Sequence, residues 1–350
     1  MNAISLFAGA GGLDVGFERA GFRTIFANEF DHDAAEAWRR NRPHQAGVMM
    51  EGDIHDCLGT LGRFRGADVV FGGPPCQGYS VAGKMDPDDP RSALVWRFLD
   101  AVRIVQPKVF VMENVAALGR LRRWQAVRDG IVGKGSTLGY GVSYAVHHAS
   151  DYGVPENRDR VLFIGVRRDI GTPDAFGPAL FAHRRRAPVV REILLSAGRY
   201  GTAENPQTCT AGITLAKHPV MRRSPYAGML VNGAGRPVNL DGIAPTLPAS
   251  MGGNRTPIVD EAALRDPSRP NWFATYHQRL MDGLASPMTE ALPPTLRRLT
   301  LREAAAIQTF PEGYRFAGRK SKQYRQIGNA VPCLLAEAAA RAVREAFFDV

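Results

Sequence analysis

The stretch Ala67-Asp-Val-Val-Phe-Gly-Gly-Pro-Pro-Cys-Gln-Gly-Tyr-Ser80 decides the fold. Its first five residues read as a short buried strand, which two glycines and two prolines then stop. Pro74 and Pro75 fix φ and offer no N–H, so they stiffen the loop without building a hydrogen-bonded turn. The residue presented next is Cys76. A thiol at the C-terminal end of a parallel strand lies where open α/β sheets bind ligands. Most free cysteines are small buried hydrophobes, so the motif alone leaves packing residue and nucleophile both open.

Upstream, Ala3 to Phe7 reads as a buried strand running into Ala8-Gly-Ala-Gly-Gly12. An amphipathic helix follows, with Leu13, Phe17 and Ala20 on one face and Gly21 closing it. Phe22 to Phe26 is a second strand reaching Glu29, 29 − 9 = 20 residues after Gly9. An acid at that offset commonly grips the hydroxyls of an adenosine ribose. Asp31 caps a helix through Trp38, and Val48 to Met50 is a third strand delivering Gly52-Asp53-Ile54. The glycine loop is not a pyrophosphate fingerprint, because Gly9 and Gly11 lead to Asp14, whose charge is expected to repel phosphates. That conflicts with a nicotinamide-linked oxidoreductase and suits a phosphate-free adenosine cofactor such as S-adenosylmethionine.

Downstream, Arg91 to Val105 reads as a helix, and Lys108 to Met112 as a fifth strand ending in Glu113-Asn114-Val115. An isolated buried carboxylate is costly, so Glu113 is functional or paired. Val142 to His147 and Val161 to Val166 add two more strands. Strands alternating with helices predict an α/β fold with a doubly wound, mostly parallel sheet. Past Gly171 the chain turns rich in proline, glycine and isolated polar residues, and Asn232 to Thr256 reads as loop. Thr300-Leu-Arg-Glu303 is a capping box opening a helix, and Pro332 starts a last helix running to about Phe348.

The 350 residues carry 44 Lys+Arg against 34 Asp+Glu, a formal charge of +10. Most of these cations are arginines, clustered at 120–123, 184–186 and 315–325, which favours a polyanionic partner such as nucleic acid. The four cysteines have no C-x-x-C spacing; the nearest pair, Cys57 and Cys76, is 76 − 57 = 19 apart. No metal site or disulfide framework is expected, and a reducing cytoplasm fits best. The N-terminus reads as having no signal peptide, and no apolar run is long enough to span a bilayer.

Together the blocks resemble the DNA (cytosine-5) methyltransferases of the bacterial restriction-modification type. In family order they are Leu6-Phe-Ala-Gly-x-Gly-Gly, Asn28-Glu29, Gly52-Asp53-Ile54, Gly73-Pro-Pro-Cys-Gln-Gly-Tyr-Ser and Glu113-Asn114-Val115. Asn157-Arg-Asp-Arg160, Leu299-Thr-Leu-Arg-Glu-Ala-Ala and Gln326-Ile-Gly-Asn-Ala-Val-Pro332 continue the series. The resemblance implies a Rossmann-like class I methyltransferase domain over 1–171 and 319–350, with a smaller, irregular target-recognition domain over 172–318. It implies Cys76 as the nucleophile on cytosine C6, a partly protonated Glu113 at N3, and Arg160 with Arg158 at O2. For Arg158 a salt bridge to Glu156 competes with that role.

The implied cofactor is S-adenosyl-L-methionine, lined by Phe7, Gly9, Gly11, Glu29, Asp53, Ile54, Pro75, Leu94, Asn329 and Val331. Glu29 would hold the ribose, Asp53 the adenine amino group, and Phe7 and Ile54 the adenine faces. Gln77, Ser80, Arg236, Asn239, Asn254 and Arg255 are the candidate contacts to double-stranded DNA, around a flipped-out base. The expected protein is a cytoplasmic, nucleoid-associated monomer; a tRNA cytosine-5 methyltransferase is the alternative. Three residues depart from the family pattern: Ser5 where Asp is usual, Glu156 where Gln is usual, and Cys333 where a second Pro is frequent. Ser5 is expected to weaken capture of the cofactor's ammonium.

Overall fold

A computed structural model describes residues 1–75, 93–288 and 290–349. The chain opens with β1 (Asn2–Leu6), α1 (Gly12–Arg19), β2 (Arg23–Glu29), α2 (His32–Arg40), β3 (Met49–Glu51), α3 (Ile54–Cys57) and β4 (Val69–Gly72). It continues through α4 (Leu94–Val105), β5 (Val109–Val115), α5 (Ala116–Arg120), α6 (Gln125–Thr137), β6 (Tyr140–His148), β7 (Glu156–Asn157), β8 (Asp159–Arg167) and α7 (Phe176–Ala182). These ranges follow the expected alternation; Asp31 caps α2 by accepting from the Ala34 N–H.

Two compact units form, one from 1–153, 159–186 and 330–350, the other from 154–158 and 187–329. The first unit holds a seven-stranded sheet in the order β3-β2-β1-β4-β5-β8-β6. β1 to β5 pair in parallel, while β8 runs antiparallel to both neighbours. The order reverses between β1 and β4, the switch point at which doubly wound sheets bind ligands. Both faces are covered. Ile4 and Leu6 pack with Val95, Phe98 and Val102 of α4 on one side. On the other, Phe17 of α1 stacks on Phe71 with ring centroids 3.9 Å apart.

The last helix, α13 (Cys333–Phe347), lies against both α1 and α7. That packing carries 172–186 into the first unit, beyond the expected boundary at 171. Conversely α12 (Lys320–Asn329) packs on α11 (Leu301–Ile307), so 319–329 falls in the second unit.

That second unit also contains α8 (Val190–Ser196), β9 (Leu215–Val220), β10 (Met229–Val231), β11 (Ala244–Pro245), β12 (Ile258–Asp260), α9 (Glu261–Arg265), α10 (Trp272–Met281) and β13 (Leu296–Arg298). Its sheets are two-stranded, so arginines do much of the tying. Arg297 donates to both oxygens of the fully buried Glu303, which also closes the expected capping box on Thr300. Arg298 donates to the carbonyls of Gly212, Asn254 and Thr256, joining the loops of the 232–256 stretch to β13.

Gly16 shows how tightly α1 and α13 meet. A Cβ there would lie 2.4 Å from the Ala336 carbonyl carbon and the Glu337 nitrogen, both backbone atoms that cannot swing away. Gly16→Ala should destabilise the fold by about 1–3 kcal/mol, read as a lower urea midpoint with an unchanged m-value.

Candidate active site

The parallel register sets the site. Leu6 pairs with Asn28, Asn28 with Met50, Leu6 with Gly72, and Gly72 with Met112. The next residue on each strand therefore stands in one row along the sheet's C-terminal edge: Phe7, Glu29, Glu51, Gly73 and Glu113.

At the first two strand ends the backbone is strained and closely tied. Phe7 has φ 53°, a left-handed conformation rare for an aromatic residue, and Gly9 and Gly11 follow at 57° and 90°. Such strain persists where the surroundings over-determine it, as at binding sites. Glu29 supplies much of that constraint. Its Oε2 accepts from the Gly9 N–H at 2.7 Å and its Oε1 from the Asp31 N–H at 2.8 Å. Burial pushes the Glu29 carboxyl above the usual range, and the N–H groups of Asp31, Gly9 and Phe30 oppose the rise. A carboxylate has about four acceptor sites, so capacity remains for a ribose hydroxyl.

Asp53 caps α3, and its carboxyl sits below the usual range because the backbone N–H and the ring of His55 both bond to it. Ile54 is buried in the core. Leu94 opens α4 half-buried, and Pro75 is half-buried at the strand's exit. Val331 is buried, with its carbonyl 2.6 Å from where a Gly12 side chain would begin, so it lies against the glycine loop. Asn329 is exposed and belongs to the second unit. Phe30, beside Glu29, is 74% exposed.

Glu113 and Arg160 form an ion pair, Oε1 to Nε 2.6 Å, with side chains only 11% and 12% exposed. Gly73 makes room for the acid: a Cβ there would stand 2.7 Å from its Oε2. Asn114 donates to the Pro74 carbonyl at 3.1 Å, holding the proline loop against the same strand. Arg160 Nη1 donates to the Asp159 carbonyl, and the Asp159 side chain bonds Arg120 and His148. Cys76, Gln77 and Ser80 lie outside the described residues. In the second unit Arg236, Asn254 and Arg255 are exposed and Asn239 half-buried.

The C-5 cytosine-specific DNA methylase model matches residues 1–345. The chain belongs to that family. It is 34% identical to Type II methyltransferase M1.HphI of Haemophilus parahaemolyticus, over 97% of this chain and 86% of that one. Against Type II methyltransferase M.FnuDI of Fusobacterium nucleatum the identity is 30%, over 100% and 96%. A DNA modification methyltransferase encoded within an E. coli prophage shares the fold, with TM-score 0.67, 22% identity and 99% of each chain covered. The S. pombe Dnmt2 methyltransferase does so with TM-score 0.65, 15% identity and coverage of 99% and 98%.

Two expectations for this cytosine-5 methylase need correction. Arg158 is committed to partners within its own unit. It is 2% exposed, bonding Glu156 at 3.2 Å, the Leu247 carbonyl at 3.2 Å and the Gly328 carbonyl at 2.7 Å within the second unit. Burial decides this, because a desolvated guanidinium must be ringed by acceptors. Glu156 thereby explains its departure from glutamine: it is fully buried, faces Arg158, and accepts from the Leu247 N–H at 2.6 Å.

Asp14 is the second correction. It is fully buried and accepts from Ser5 Oγ at 3.1 Å and Trp38 Nε1 at 2.9 Å, so its charge cannot meet a ligand's phosphates. Its carboxyl is pushed up by burial, against the pull of Arg42, Trp38 and Ser5. Arg42 stacks on Trp38 at 4.8 Å and reaches the Gly11 carbonyl at 3.4 Å, so this cluster supports the glycine loop from behind. Ser5 is itself fully buried, a donor to Asp14. Cys333, the third departure, is buried at the start of α13, its thiol pushed up to about 12 by burial.

Arg158→Met should cost about 3–5 kcal/mol of stability, because Glu156 is left charged and buried; thermal unfolding reads the loss. Ser5→Asp should set two carboxylates side by side and destabilise by about 3 kcal/mol. That defect should shrink as pH falls, since both carboxyls titrate above their unfolded values, and Asp14→Asn in the same chain should relieve it; urea titrations at two pH values check both.

Proposed function

We propose that this DNA methylase transfers a methyl group to C5 of a flipped-out cytosine in a short duplex site, through a covalent bond between Cys76 and C6. The observation that carries this is the Glu113–Arg160 pair at the switch-point edge, on the strand next to the one that leads into residue 76. C5 of cytosine is a poor nucleophile. Addition of the Cys76 thiolate at C6 makes an enamine whose C5 can attack, dividing one hard step into two.

Glu113 would hydrogen-bond N3 and the amino group, and Arg160 would hold O2 while keeping Glu113 in place. Thiolate addition at C6 builds negative charge on N3, so Glu113 would carry a proton to N3 when the base is bound and accept from the amino group with its other oxygen. After methylation C5 loses its proton, the C6–S bond breaks and the thiolate is restored.

S-adenosylmethionine supplies the methyl group when bound. Glu29 suits its ribose; Asp53 suits the adenine amino group; Phe7 and Ile54, with the exposed Phe30, suit the adenine faces. Gly9, Gly11, Pro75, Leu94, Val331 and Asn329 are the further cofactor contacts of this proposal. The second unit is proposed to read sequence, with Arg236, Asn239, Asn254 and Arg255 on its loops and Gln77 and Ser80 at the base. Among the described residues no helix is long and apolar enough to cross a membrane. We propose a monomer acting on nucleoid DNA in the cytoplasm, as part of a restriction-modification system. The tRNA alternative is disfavoured by the relatives' Type II names.

Cys76→Ala should abolish methyl transfer to duplex DNA while leaving DNA binding within about threefold; retained activity would end the covalent mechanism. Arg160→Leu should lower kcat by about a hundredfold or more, with tritium transfer to duplex DNA but not to tRNA as the readout.

A further inference from the structure

Asp53 is tied more closely than an adenine acceptor alone requires. Its turn is pinned from below: Asn28 Nδ2 donates to the Met50 and Gly52 carbonyls at 3.2 and 2.9 Å. Cys57 Sγ donates to the Asp53 carbonyl at 3.2 Å and receives the Asn28 amide at 3.0 Å. The backbone of Asp53 is therefore fixed, and the remaining freedom is rotation of its side chain. That side chain is 46% exposed, where an unpartnered aspartate samples several rotamers.

His55 removes the freedom. Asp53 Oδ1 accepts the His55 backbone N–H at 2.9 Å and lies 2.6 Å from His55 Nδ1, so one oxygen is taken twice and, among the described residues, Oδ2 accepts no hydrogen bond. Nδ1 carries the proton in this pairing, since Asp53 can only accept. The ring does this without being part of the core, for it is itself 53% exposed.

We infer that His55 is a positioning residue for adenine recognition: it clamps Oδ1 of Asp53 and leaves Oδ2 to accept from the exocyclic amine of the adenosine cofactor. The inference rests on the proposal that Asp53 holds that amine. Pre-orienting the acceptor spares the ligand the cost of immobilising a side chain, a difference of about two- to tenfold in affinity. The effect is confined to the amine, because the Glu29 ribose contacts do not pass through His55.

The test is calorimetric binding of S-adenosylhomocysteine and of its inosine analogue, in which a carbonyl replaces the amine. The wild-type protein should prefer the adenine ligand by about tenfold or more, the loss expected when a charged acceptor meets no donor. His55→Ala should cut that preference by at least about threefold, mainly through weaker adenine binding. His55→Asn, which returns a side-chain N–H near the Nδ1 position, should restore most of it. An undiminished preference in His55→Ala would overturn the inference, as would equal weakening of both ligands, which signals a damaged turn, or tighter adenine binding, which would make His55 a competitor for Asp53. A wild-type protein indifferent to the amine would remove the Asp53 assignment itself, and the clamp with it.

Discussion

The in-register pairing of β1 to β5 is the constraint on which everything else rests. Parallel strands buried on both faces cannot slip without moving every side chain to the wrong face, so their ends are held level. Levelling those ends brings Phe7, Glu29, Gly73 and Glu113, far apart in sequence, into one row. Two glycines permit the closest approaches. A Cβ at Gly72 would meet the Leu6 carbonyl oxygen at 2.2 Å, and one at Gly73 would press on Glu113. Strand pairing and the position of the acid thus depend on the same dipeptide.

Strain and buried charge collect along that edge. Phe7 keeps a left-handed backbone, Glu29 keeps a carboxyl raised by burial, and Glu113 keeps a cation at 2.6 Å. None of these features stabilises the fold by itself. Each is held by packing elsewhere, notably the Asp14–Trp38–Arg42 cluster under the glycine loop and the α1–α13 contact. Preorganisation of this kind suits a reaction in which charge develops on a base brought in from outside.

The basic composition carries a lesson about counting. Arg42, Arg128, Arg158, Arg297 and Arg298 are all buried, each bonded to carboxylates, carbonyls or other polar groups inside its unit. In the second unit arginines stand in for the broad sheet it lacks, tying loops whose backbone groups would otherwise need strand partners. Part of the positive charge is therefore structural, and the surface left to meet a polyanion is smaller than +10 suggests.

Local signals in the sequence determined the alternation of strands and helices, the caps at Asp31 and Thr300, the acid at the end of β2 and the acid at the end of β5. These follow from side-chain period, capping chemistry and strand-ending residues, all of which act over a few positions. Tertiary structure alone decided which partners Arg158, Asp14 and His55 meet. Arg158 and Arg160 are two residues apart and look equivalent, yet one is ringed by carbonyls in the second unit and the other faces Glu113 in the first. Asp14 looks like a ligand-facing charge until its helix turns it onto Trp38. The physical reason is the same each time: a side chain's role depends on which groups desolvate it and which partners reach it, and those come from distant parts of the chain.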